Sequence, residues 1–479
     1  MSEEHFDVIV VGGGPGGSTA ATLASMRGHK VLLLEQEKLP RYQIGESTLP
    51  YTLGICKILG VADELAKAGF TRKLGGVWRW GSRGNVVHVD FRDVIPEPLI
   101  DGAYAYQVER MKFDQLLLDN ARRRGVDVRE RHSVRELIVE DGRVAGAKYT
   151  DGDGRENIAR ARYVADAGGH SSPFHRKCGQ RMWSDKFRNF ALFGYFDGGE
   201  RLPPPMSGSI LNVTFEYGWF WYIPLAPALT SVGAVVPVEF TRMLDDGHEK
   251  ALERFLDACP TIRQFLAGAK RITEGTYGQV RVRKDWSYCN TQFCRPGLVL
   301  VGDAACFVDP LFSSGIHLST YSALLAARSI NSILLNPGGE EEYLREFETR
   351  YRNEYAKFYQ FLVTFYEDLD KAEYFRRASE ILQTGEEGSN ALVRLVSGWS
   401  AAGAEAKETP DEGAAEVQPP KTLAEKSFGN AFARSEADIF DWAITGVPSM
   451  SSSAGLVPTD DGLAWTQAAA RKKARSGMQ

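Results

Sequence analysis

Apolar and polar positions change their period several times along this chain, and each change marks an element. Phe6 to Val11 is a short apolar run, Gly12 to Gly17 is almost free of side chains, Ser18 to Arg27 has helical spacing, and Lys30 to Glu35 is apolar again. That order predicts a βαβ unit. Lys112 to Arg124 reads as an amphipathic helix leading into a strand near Val126 to Val128, and Asp141-Gly142 marks a hairpin turn. Between 186 and 240, aromatic and β-branched residues alternate between Gly and Pro punctuation, which predicts an antiparallel sheet over a separate cavity. Leu298 to Val301 is one further strand, returning to the first unit. After Gly315 the spacing becomes helical through Ile316, Leu318, Tyr321, Leu324, Leu325 and Ile330. A long helix from about Glu340 to Asp370 follows. Its stripe of Tyr343, Phe347, Tyr351, Tyr355, Phe358, Phe361 and Phe365 reads first as core, with some members free to line a pocket. Residues 401–426, rich in Ala, Glu, Pro and Lys, predict a mobile linker. Phe440, Trp442, Ile444 and Trp465 predict that the last segment docks again.

Composition narrows the class. The chain has 479 residues, 43% hydrophobic and 25% charged, with a net charge of -5; its pI is near 6.0 and its mean hydropathy -0.27. A length of this order implies two or three cooperating units, and the acidic balance argues against nucleic acid as a partner. Glu3, Glu4 and Asp7 precede the first apolar run, which is unlike a secretory signal, so a cytoplasmic protein is expected. No run approaches the ~20 apolar residues of a membrane span, so no membrane association is expected. The six cysteines are scattered without zinc-type pairing, and no metal site is expected.

The chemistry begins at Gly12-Gly13-Gly14-Pro15-Gly16-Gly17, a G-x-G-x-x-G set between an apolar strand and a helix. Gly12, Gly14 and Gly17 let a backbone approach a pyrophosphate, whose charge meets the helix start, and Glu35 at the end of the second strand suits a ribose hydroxyl. A dinucleotide follows from strand, spacing and acid together.

The densest local pattern is Trp219-Phe220-Trp221-Tyr222-Ile223-Pro224, which holds two of the nine tryptophans. A strand would put Trp219, Trp221 and Ile223 on one face and Phe220 and Tyr222 on the other, and core packing alone explains that. Its spelling W-x-W-x-I-P nevertheless resembles the signature of flavin-dependent halogenases. Leu298 to Ala305, with Gly302-Asp303-Ala304, resembles the element of FAD-dependent hydroxylases and halogenases whose aspartate holds the ribityl chain. Arg110, in Gln107 to Asp114, matches a second pyrophosphate contact of that superfamily, with Arg41 a weaker candidate. Without the resemblance, Asp303 is a turn residue and the arginines are surface.

Further segments carry the same resemblance. Asp309-Pro310-Leu311-Phe312-Ser313-Ser314-Gly315-Ile316 is similar to the halogenase loop that binds halide, which assigns chloride to Ser314 and Gly315; an ordinary Ser N-cap is the plain alternative. Gly69 to Gly76 resembles the segment carrying the active lysine, which makes Lys73 the catalytic candidate where composition alone would call it surface. Gln43-Ile44-Gly45-Glu46-Ser47 resembles the Gly-Glu-Ser element near the flavin, so Glu46 is either an orienting or a structural carboxylate. Trp219, Trp221, Ile223, Pro224 and Phe312 then become a wall between flavin and substrate chambers.

Two departures carry information. Gly168, in Asp166-Ala167-Gly168-Gly169-His170, stands where hydroxylases resemble one another at an aspartate that assists nicotinamide use, which implies that reduced FAD comes from a separate flavin reductase. Phe312 stands where tryptophan halogenases carry a glutamate, which points to phenols and pyrroles that supply their own electron push. The resemblance implies the FAD-dependent aromatic-hydroxylase-like α/β fold: an FAD domain over 1–185 and 285–336, a substrate-domain sheet over 186–284, a helical region over 337–400, the linker over 401–426 and a tail over 427–479. It implies chlorination of an electron-rich aromatic, free or tethered to a carrier protein. An FAD- and NAD(P)H-dependent hydroxylase, a polyprenyl reductase and a non-catalytic flavin-binding protein are the alternatives.

Overall fold

The computed structural model describes residues 3–80, 85–93, 103–284, 286–366, 393, 395–397, 456–458 and 465–467. The first unit is built as the apolar pattern implies. β1 (Glu3–Val11), α1 (Pro15–Ser25) and β2 (Val31–Glu35) form the βαβ unit. α1 begins at Pro15, ahead of the expected Ser18, because proline's fixed φ suits the first helical position. β1 lies between β2 and the strand Glu156–Asp166, parallel to both, and Leu298–Leu300 adds beyond Glu156–Asp166, again in parallel. Val8, Ile9 and Val10 are buried, as a strand covered on both faces requires. The return of Leu298 to this sheet makes the unit discontinuous in sequence, as read from the chain. The hairpin at Asp141-Gly142 joins strands Ser133–Glu140 and Arg143–Thr150.

The second sheet runs in the order Lys270–Arg271, Asn189–Asp197, Leu229–Pro237, Gly218–Pro224, Ile210–Phe215, Gly75–Trp80, Asn85–Asp90. Its centre is antiparallel as expected, but Ile210–Phe215 pairs in parallel with Gly75–Trp80. Gly75–Trp80 and Asn85–Asp90, expected in the flavin unit, therefore belong to this sheet: Val77 and Trp78 are buried in register with Leu211 and Asn212, which completes its apolar face. A short two-stranded ladder, Thr71–Lys73 against Ala105–Gln107, stands just before this crossing.

α2 (Arg110–Arg123) packs beside α1. α3 (Ser314–Leu335) and α4 (Glu340–Tyr366) supply the helical layer. Every member of the aromatic stripe on α4 is buried, so it is core as read. Residues 367–370 of the expected helix, the linker and most of the tail lie outside the described residues, apart from an antiparallel pair, Leu456–Pro458 with Trp465–Gln467. Among the described residues no helix is long and apolar enough to cross a membrane, and no cluster of ligands for a metal ion is present.

Candidate active site

The glycine turn is dictated by close backbone approach. Gly12 has φ +94, and a Cβ there would stand 2.5 Å from the Ala167 carbonyl oxygen; one at Gly17 would stand 1.9 Å from that of Gly12. Side chains are excluded at both. Glu35 is buried and braces the glycine turn: Oε2 accepts the Gly13 N–H at 2.6 Å and Oε1 accepts that of Glu37 at 2.8 Å. The N-cap of α1, Gly14, offers no side-chain cap, which leaves the helix start open to an anion.

Arg41 and Arg110 both converge on Asp114. Arg110 holds it in a fork, Nε to Oδ1 at 2.8 Å and Nη2 to Oδ2 at 3.0 Å, while Arg41 Nη1 reaches Oδ2 at 2.9 Å. Arg110 also donates to the Ile44 carbonyl at 2.6 Å. Two guanidinium groups on one carboxylate leave a net positive charge, and Arg41 Nη2 lies 3.7 Å from where a Gly14 Cβ would stand. This cradle of glycines, open helix start and surplus cation fits the pyrophosphate of FAD. Asp303 follows Leu298–Leu300, and its carboxyl is pushed up to about 6 by burial, with Arg110 the leading opposing influence.

Lys73 is 2% exposed. Its Nζ donates to Ser47 Oγ at 2.8 Å, the Thr48 carbonyl at 3.0 Å and Ser313 Oγ at 3.4 Å. No described carboxylate forms an ion pair with it. Burial alone lowers its pKa to about 7, so the neutral amine is accessible near neutrality. Ser313 is the N-cap of α3 in the left-handed region, φ 58, a strained conformation for a residue with a side chain. Its hydroxyl turns to Lys73 and does not cap the helix. The next hydroxyl, Ser314 Oγ, is buried without a partner among the described residues. Ser314, Gly315 and the start of α3 thus form an uncapped buried helix end, with Lys73 one residue away through Ser313.

The tryptophan strand alternates as read: Trp219, Trp221 and Ile223 face the main core, and Phe220 and Tyr222 face the helices outside the second sheet. Gly233 pairs with Trp221, and a Cβ there would lie 2.2 Å from the indole. Trp219 Nε1 donates to Tyr366 Oη at 2.6 Å, and Tyr366 reaches Asp309 Oδ2 at 3.3 Å. Burial pushes Asp309 up to about 7, against the N–H of Leu311 and the Tyr366 hydroxyl. Trp221 Nε1 donates to Ser231 Oγ at 3.2 Å. Pro224 ends the strand opposite Thr230. Phe312 is buried between Trp78 and Phe365, with ring centroids at 6.0 and 5.3 Å.

Glu46 is buried beside this strand. Tyr195 Oη donates to Oε1 at 2.7 Å, while Oε2 has no geometrically formed hydrogen bond, although the nearby Ser231 hydroxyl favours the ionised form. Burial prevails and raises its pKa to about 7. Asp166, near the Gly168 position, accepts the Gly168 N–H at 3.0 Å and the Ser172 hydroxyl at 2.7 Å, so it braces its own turn.

The structure thus gathers Lys73 with the Ser313–Gly315 turn, and Arg41 with Arg110. Sequence reasoning missed Asp114, Ser47, Ser313, Asp309, Tyr195 and Tyr366. Asp114 had a signal in its helical i,i+4 spacing from Arg110, and Ser47, Asp309 and Ser313 lie inside motifs already singled out; how these residues meet across the chain is what the sequence does not show.

The model of the tryptophan halogenase family matches residues 7–99 and 92–409. The chain is 48% identical to the myxobacterial chondrochloren halogenase CndH, with a TM-score of 0.78 over 97% of this chain and all of that one. It is 32% identical over 379 residues to a tryptophan 2-halogenase of Chondromyces crocatus, covering 78% of this chain and 70% of the relative. It is also 30% identical over 391 residues to a pyrrole-2-carbonyl peptidyl-carrier-protein chlorinase of Pseudomonas fluorescens, covering 76% and 84%. Matches of this extent place the chain in the tryptophan halogenase family, as an FAD-dependent halogenase of natural-product biosynthesis.

Proposed function

We propose that this halogenase chlorinates a phenol or pyrrole ring, free or tethered to a carrier protein, with reduced FAD delivered by a separate flavin reductase. The observation that carries the choice of ring is Phe312. Immediately before the Ser313–Gly315 turn the chain has a buried phenyl group packed on Trp78 and Phe365, where a carboxylate would be needed to assist an unactivated indole carbon. The carrier-bound pyrrole named for the Pseudomonas fluorescens relative supports the same class.

When bound, reduced FAD supplies the electrons by which dioxygen converts halide into an electrophilic halogen. The remaining work belongs to the chain. The N–H groups of Ser314 and Gly315 hold chloride weakly, because a helix end contributes at most about 2 kcal/mol when partly buried. Lys73 hydrogen-bonds or carries the electrophilic halogen, and as a neutral amine it has a lone pair for this. Trp219 and Trp221 keep the arene from the flavin, and Asp166, engaged by its own turn, leaves no carboxylate for a nicotinamide.

The test is product mass. Purified protein with FAD, a flavin reductase, NADH and chloride, given free and carrier-bound phenols and pyrroles alongside tryptophan, should yield a monochlorinated phenol or pyrrole. Hydroxylated product alone, or chlorination of tryptophan alone, would overturn the proposal. Bromide in place of chloride tests the halide assignment in the same assay.

A further inference from the structure

Halogenation consumes a proton in a place that water reaches poorly. With neutral reduced flavin the balance is FADH2 + O2 + Cl⁻ + H⁺ + ArH giving FAD + ArCl + 2 H2O. Lys73 is wrapped by Ser47, Thr48 and Ser313 and has no route of its own to solvent among these contacts.

A route exists next door. Tyr42 Oη lies 2.7 Å from Tyr195 Oη, and Tyr195 Oη lies 2.7 Å from Glu46 Oε1. The single proton of Tyr195 points to the carboxylate, so the hydrogen in the first contact belongs to Tyr42. All donors in this chain therefore point inward. At the outer end Tyr42 is partly exposed, with the Arg281 guanidinium 3.8 Å above its ring. At the inner end Glu46 is 3% exposed, and its Oε2 is held by no direct hydrogen bond among the described residues, with the Ser231 hydroxyl nearby. It lies next in sequence to Ser47, which accepts from Lys73.

We propose that Tyr42, Tyr195 and Glu46 form a proton relay from solvent into the reaction chamber, with Glu46 Oε2 as the delivering atom. One step moves the Tyr195 proton onto Glu46, the Tyr42 proton onto Tyr195, and a solvent proton onto Tyr42. Each hydroxyl ends as it began, and Glu46 gains the proton that turnover consumes. The tyrosines stay protonated: burial is the first influence raising both above the ordinary phenol value. Glu46, raised to about 7 chiefly by burial, exchanges a proton near neutrality. The groups facing the relay are Arg110 and Glu109 from α2 and its cap, Ser231 from Leu229–Pro237, and Tyr277, whose ring lies 4.4 Å from that of Tyr195 and whose hydroxyl donates to Glu109 at 3.0 Å. Arg281 and Arg283 flank Tyr42.

This relay rests on the halogenase chemistry proposed above, and two readouts keep the two apart. In the FAD-free protein, infrared titration of the protonated carboxyl band that disappears in Glu46→Gln should give a midpoint near 7, raised in Tyr195→Phe, which loses the donor to the carboxylate. In the FAD-loaded enzyme, Tyr42→Phe and Tyr195→Phe should each slow halogenation about tenfold at pH 8, less at pH 6, with flavin still bound and with recovery on adding imidazole buffer as a diffusible acid. A carboxyl midpoint near 4.5, or variants with wild-type rates and pH profiles, would overturn the relay. Failure of the wild-type enzyme to halogenate any arene would overturn the proposed substrate class while leaving the infrared result to judge Glu46.

Discussion

Two buried cations of this molecule, Arg110 and Lys73, are treated in opposite ways. Arg110, at the cofactor end, is forked onto Asp114 and shares it with Arg41. Lys73, which we propose lies at the reaction end, is just as buried but among the described residues meets hydroxyls, a carbonyl and, at 5.6 Å, the Phe91 ring, with no carboxylate. Burial penalises charge in both; at Arg110 the carboxylate outweighs it, and at Lys73 nothing does. On the proposed roles, the difference is one of task. A group that binds an anion must stay charged, whereas a group that handles an electrophilic halogen needs its lone pair.

The largest expected effect breaks the reaction end. Lys73→Ala should cut halogenation by about a hundredfold or more with flavin still bound, read as product formed and as flavin absorbance of the gel-filtered protein. Lys73→Arg should do as badly, since guanidinium stays charged at every usable pH. A lysine that acted only through its positive charge would be rescued by arginine.

The cofactor end should break through stability. Asp114→Ala leaves two guanidinium groups uncompensated, one of them fully buried, and should cost about 3–5 kcal/mol in urea unfolding. Lys73→Met should cost little at pH 6 because it removes a buried charge that no described carboxylate compensates, which offsets the three hydrogen bonds lost. The sign with pH follows from the depressed pKa. Between about 7 and 10.5 the unfolded chain holds a proton on this lysine that the native state lacks, so its contribution to stability rises with pH in that window, by at most about 1.4 kcal/mol per unit. Lys73→Met should flatten that rise. Glu46 and Asp309 act oppositely at lower pH: their raised values make the native state the better proton binder from about 4 to 7, so stability falls as pH rises there.

Smaller effects sharpen the picture. Gly233→Ala would push a methyl group into the Trp221 ring, and overpacking of that kind costs about 1–3 kcal/mol; a thermal melt reads it. Ser314→Ala removes the unpartnered hydroxyl at the α3 start and should raise the chloride KM a few-fold, with little change in kcat at saturating chloride.

What was legible in the sequence divides along the same line. The βαβ unit, the discontinuous first sheet, the α4 stripe and the alternation of Trp219 to Ile223 follow from local period and from glycines that tolerate no side chain. Arg110 and Lys73 were reached through resemblance. The Asp114 partner of Arg110 lies one helical turn away and carried a signal in that spacing, whereas the surroundings of Lys73 carried none, because residues 47, 48 and 313 are brought up by distant segments. The crossing of Gly75–Trp80 into the second sheet was missed for a similar reason, since a parallel pairing with Ile210–Phe215 leaves no signal in either segment alone.

Titration of the Lys73 amine reports most directly on whether the reaction end is left uncompensated. With 13C-labelled lysine in the FAD-free protein and the signal assigned by its loss in Lys73→Arg, the ε-carbon shift should titrate with a midpoint near 7. A midpoint near the ordinary lysine value of 10.5 would contradict it.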